Sequence, residues 1–64
     1  MVTKLIKSWS NDLFTCELWQ TRYGIYDAPM SHVFVNDLPV YESIGCANME
    51  LFDTIRMIRT ICNL

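Results

Sequence analysis

Sixty-four residues make one small domain, and a chain this short buries only roughly 60% of the surface its unfolded form exposes. Hydrophobic residues are 52% of the chain and charged residues 19%, more apolar surface than so small an interior can hide. A net charge of −2 with five Lys and Arg weighs against nucleic-acid binding, which draws on phosphate neutralisation, and no apolar run is long enough to span a bilayer.

The opening "MVTKLIKSWSNDLF" has two early lysines but no apolar run ending in a small-residue cleavage site, so a cytoplasmic protein is expected. Strands over about 2–10 and 13–26 are predicted from Val, Ile, Trp, Phe, Thr and Tyr. Asn11-Asp12 reads as a two-residue turn between them. That register pairs Trp9 with Phe14, Lys7 with Cys16 and Leu5 with Leu18 on one face. The other face pairs Ser8 with Thr15, Ile6 with Glu17 and Lys4 with Trp19. It nominates Leu5, Trp9, Phe14, Cys16 and Leu18 as core. Trp19 opposite Lys4 reads as a cation–π pair, continued along the strand by Tyr23 and Tyr26 as an aromatic platform.

The second strand is expected to bend at Gly24 and end in a turn over residues 27–30, where Pro29 sets its own φ. A third strand follows over about 31–36, with Val33 and Val35 on one face and His32 and Phe34 on the other. Residues 36–48, broken by Pro39 and Gly45, read as irregular. The last segment reads as a helix over about 49–63, N-capped by Asn48. Leu51, Ile55, Ile58 and Cys62 form its apolar stripe, with Phe52 and Ile61 flanking. The fold expected is α+β: a three-stranded antiparallel β-meander with one C-terminal α-helix packed on one face. The "HVFV" segment would be an edge strand open to pairing, which gives one route to a homodimer.

Catalysis finds little support. His32 is the one histidine, with Asp27 placed to orient it across a turn, and Cys16 or Ser31 are the only nearby nucleophiles to nominate. No Gly-rich phosphate loop, H-E-x-x-H, G-x-S-x-G or EF-hand pattern occurs. Cys16, Cys46 and Cys62 lack the close spacing that seeds a zinc site and read as free thiols, so no metal or cofactor is expected.

The expected function is therefore contact. A small protein-binding regulator is expected, an inhibitor, adaptor or antitoxin-like protein of the kind a bacteriophage makes, blocking or bridging a partner protein. The residues assigned to the contact are Trp19, Tyr23, Tyr26, Met30 and Phe34 on the sheet, with Phe52, Arg56 and Arg59 on the helix. The alternatives are a nucleic-acid-binding sheet surface using Trp19, Tyr23 and Lys4, and a structural homo-oligomer subunit that pairs through an edge strand or the open sheet face.

Overall fold

The computed structural model describes residues 1–45 and 48–64. Strands β1 (Val2–Ser10), β2 (Thr15–Arg22), β3 (Met30–Val35) and β4 (Leu38–Ile44) precede helix α1 (Met49–Ile61). The strands form one antiparallel meander in the order β1-β2-β3-β4, and α1 packs its apolar stripe on one face of it. The class is α+β, as expected, but the sheet has four strands and not three.

The extra strand comes from a turn whose chemistry the segment 36–48 does carry. Asn36 and Asp37 both take positive φ, +50° and +67°, the backbone that a two-residue hairpin needs to match strand twist. Asn36 Oδ1 accepts from Thr15 N at 2.9 Å and its Nδ2 donates to the Leu13 carbonyl at 3.3 Å. Pro39, taken as a breaker, is accommodated because β4 is an edge strand and a bulge at Val40 lies beside it. β3 is thus interior, paired on both sides, and the "HVFV" edge is closed. The edges are β1 and β4, so a dimer through β3 is excluded.

The first hairpin is wider than expected. Ser10 pairs with Thr15, leaving residues 11–14 as the loop. Asn11 builds it: its Oδ1 accepts from Leu13 N at 2.9 Å and Phe14 N at 2.8 Å. The register moves by two, to Trp9 opposite Cys16 and Lys7 opposite Leu18, and a shift of two keeps every side chain on its face. Trp9, Cys16 and Leu18 therefore stay on the core side. A bulge at Ile6 then moves the register by one. Leu5 flips to the opposite face, against Trp19, and is 45% exposed. Phe14 lies in the loop, outside the core. Lys4 faces Gln20 and not Trp19, so the expected Lys4–Trp19 pair does not form.

β2 ends at Arg22, well before residue 26. Residues 23–29 are a loop turned by an Asp27 N to Gly24 O bond of 3.3 Å. The helix begins as expected, with Asn48 Oδ1 accepting from Leu51 N at 2.7 Å. It ends at Ile61, two residues early. Asn63, at φ +58°, turns the chain so that Leu64 N reaches the Arg59 carbonyl at 2.7 Å.

Cys16, Leu18, Val33, Leu51 and Ile55 form the core, with Trp9, Val35, Tyr41, Ile58 and Leu64 packed around it. Cys16 and Cys62 are buried free thiols; the expectation for Cys46 falls outside the described residues. Burial, then the neighbouring Cys62, pushes the Cys16 thiol above its ordinary value. A raised folded value leaves the unfolded chain with fewer bound protons once pH passes the ordinary thiol range. Stability is thus complete below about pH 8.5 and falls above it, by at most about 1.4 kcal/mol per pH unit for this proton. Urea titrations from pH 7 to 10 check this. Cys16→Ala should be less stable throughout and show a shallower alkaline decline.

Candidate functional site

Strand alternation sorts the side chains between two sheet faces, one under α1 and one uncovered. On the uncovered face Leu5, Trp19, His32 and Glu42 run across the four strands, with Thr3, Thr21 and Met30 on one side and Glu17 and Phe34 on the other. A cavity of about 400 Å³ lies there, walled by Trp19 and Phe34 and bordered by Thr21, His32, Glu17 and Asp37.

A hydrogen-bonded row crosses all four strands. Glu42 Oε2 lies 3.1 Å from His32 Nδ1, His32 Nε2 lies 3.0 Å from Thr21 Oγ1, and Thr21 Oγ1 lies 3.2 Å from Thr3 Oγ1. With Nδ1–H assigned as donor to Glu42, neutral His32 accepts the Thr21 hydroxyl at Nε2. Carboxylate, imidazole and hydroxyl stand in the connectivity of an activated nucleophile. Thr21 lies at the last pair of the β2–β3 ladder, opposite Met30. The row fixes the His32 ring on the sheet. Glu42, and not Asp27, is its orienting acid. Ser31 is buried with its hydroxyl given to the Gly45 carbonyl at 2.6 Å.

The covered face carries different chemistry. α1 leaves a groove of about 440 Å³ beside β1, floored by Ile6, Trp9, Leu18, Phe52 and Ile55 and rimmed by Lys7, Arg56 and Arg59. Trp9 is the cation–π centre of the molecule. The Arg59 guanidinium lies 4.8 Å from its ring centroid and the Lys7 ammonium 5.5 Å. Arg56 pairs with Asp53 at 3.6 Å, an exposed contact worth a few tenths of a kcal/mol. Lys4 and Arg22 continue the cationic row along the same side, flanking Gln20.

The cations are confined to one side, which also carries Glu50 and Asp53 on the helix. All five Lys and Arg residues, Lys4, Lys7, Arg22, Arg56 and Arg59, lie on the helix side. The uncovered face carries Glu17, Asp37 and Glu42 and no Lys or Arg.

The eight contact residues expected from sequence fall into three groups. Trp19, Met30 and Phe34 come together on the uncovered face. Tyr23 and Tyr26 stand on the 23–29 loop at one end of the sheet, exposed, and not on a strand beside Trp19. Phe52, Arg56 and Arg59 lie on the opposite side, along the helix groove. Lys4 is separated from Trp19 by the thickness of the sheet, so the surface of Trp19, Tyr23 and Lys4 expected for stacking bases is not assembled. Sequence reasoning missed the Thr3–Thr21–His32–Glu42 row because Glu42 lay in a segment read as irregular. It missed the Trp9–Arg59 stack because the two residues are fifty positions apart. Among the described residues no cluster of metal-ligating side chains occurs and no helix is long and apolar enough to cross a membrane. No family model, no curated protein and no solved structure matches the chain.

Proposed function

We propose that this chain is a protein-binding regulator that docks through the uncovered sheet face and acts by blocking or bridging its partner. The observation that carries the reading is the composition of that face. Trp19, Phe34, Leu5 and Met30 leave apolar surface uncovered around a cavity, inside a rim of Glu17, Asp37 and Glu42. Such a face suits a protein surface with an apolar protrusion set among Lys and Arg. Nucleic acid is repelled by the same rim. A symmetric pairing of two copies through it would oppose carboxylates to carboxylates, so a different protein is the better occupant.

The test is affinity capture from the lysate of the natural host with the wild-type chain, Trp19→Ala and Phe34→Ala side by side. One stoichiometric protein should be retained by the wild type. Truncating a central aromatic at a docking site costs about 2 kcal/mol or more, so each variant should hold that protein roughly thirtyfold less tightly while keeping the wild-type circular dichroism spectrum. Undiminished capture by both folded variants rejects this face as the docking site.

A further inference from the structure

The geometry points to a second, independent binding site on the opposite side of the molecule: the β1–α1 groove takes an acidic, apolar-containing peptide segment in extended form. Three features converge there. The floor, Ile6, Trp9, Leu18, Phe52 and Ile55, is apolar, and Ile6 and Phe52 are both close to half exposed. The polar lining is Lys7, Arg56, Arg59 and the neutral Gln20, with no carboxylate, and Lys4 and Arg22 carry the positive charge on along β1 and β2.

These cations are also poorly neutralised. Arg56 lies 3.6 Å from the exposed Asp53 carboxylate, and among the described residues no side-chain carboxylate is within ion-pair distance of Lys7 or Arg59. Arg59 is held over Trp9 and gives one N–H to the Leu64 carbonyl at 3.1 Å, while its buried Nε has no hydrogen-bond partner.

The ligand class follows from the pairing of floor and rim. Apolar side chains of the segment fill the floor, and carboxylates on either side meet Lys7 and Arg56. An extended chain alternates its side chains between two sides, so Glu alternating with Leu or Phe matches the groove. Single-stranded nucleic acid fits less well. The Trp9 ring is already occupied by Arg59 and Lys7 and is not free to stack bases. Two sites on opposite faces, one acidic and one basic, give the chain the means to bridge two proteins.

The test is fluorescence anisotropy at low salt with a labelled peptide of about eight residues alternating Glu with Leu and Phe, long enough to span the groove. The intact chain should bind it. Lys7→Glu with Arg56→Glu should weaken binding about tenfold, and a matched peptide with Ser in place of Leu and Phe should bind about tenfold more weakly than the parent. Trp19→Ala and Glu17→Gln, on the opposite face, should bind as the wild type does, which separates this site from the sheet-face reading. No binding, equal binding by the charge-reversed chain, equal binding of the Ser peptide, loss on Trp19→Ala, or tighter binding of an oligothymidylate than of the peptide would each overturn the proposal.

Discussion

Leu51→Ala should leave the chain largely unfolded at room temperature. Leu51 is a fully buried residue of a small core, clustered with Cys16, Leu18, Val33 and Ile55. Removing three buried carbons costs about 2–5 kcal/mol where the surroundings cannot collapse into the space. A single core in a chain of this size supplies only about 3–5 kcal/mol in all. The substitution therefore consumes most or all of the stability. Leu51→Met, which conserves volume, should cost less than about 1.5 kcal/mol. Amide dispersion in a heteronuclear NMR spectrum separates the outcomes: collapsed for the alanine variant, native for the methionine variant. A folded alanine variant would mean that the helix is held by something other than this core.

Asn11→Ala should be the most damaging polar substitution, although the residue is exposed. Its side chain makes four hydrogen bonds: Oδ1 to Leu13 N and Phe14 N, and Nδ2 to the carbonyls of Cys62 at 2.9 Å and Asn63 at 3.3 Å. One side chain thus shapes the first hairpin loop and ties it to the end of α1. At a net value of about 0.5–1.5 kcal/mol each, reduced by exposure, the loss should reach about 2 kcal/mol. Asn11→Asp is the informative comparison. It keeps the acceptor for the loop but removes the donor, and it places a negative charge against the negative end of the helix. It should recover little of the loss. Thermal melts of both variants check this. An aspartate variant as stable as the wild type would show that the loop bonds matter and the link to the helix does not.

Asn11 also shows why part of this fold was legible in the sequence and part was not. The helix was legible because its signals are local: Asn48 caps it, and Leu51, Ile55, Ile58 and Cys62 repeat at its period. β3 was legible for the same reason, from the alternation of His32 and Phe34 with Val33 and Val35. The first hairpin was not, because Asn11 Oδ1 holds the amides of Leu13 and Phe14 in a four-residue loop while its Nδ2 reaches a carbonyl 51 positions away. The same dipeptide recurs at Asn36-Asp37, where both residues take positive φ and the two-residue turn does form. β4 was obscured by Pro39, a breaker in an interior strand but tolerable on an edge.

The sorting of charge was the least legible feature, because it depends on the bulge at Ile6. That one extra residue carries Leu5 to the uncovered face and Lys4 to the helix side. Without it Lys4 would lie beside Trp19, and the acidic face would carry a cation. A single irregularity in β1 thus separates the two surfaces chemically.

The chain has two tryptophans, Trp19 in the wall of the acidic face and Trp9 in the floor of the basic groove. Each indole N–H gives its own NMR signal, so each face has a single reporter. The decisive measurement titrates the labelled protein with two peptides, one alternating Glu with Leu and Phe, the other with Lys in place of Glu. The acidic peptide should move the Trp9 indole signal and leave Trp19 in place, and the basic peptide should do the reverse. Both signals moving together with either peptide, or neither moving with both, would contradict two opposed surfaces of opposite charge.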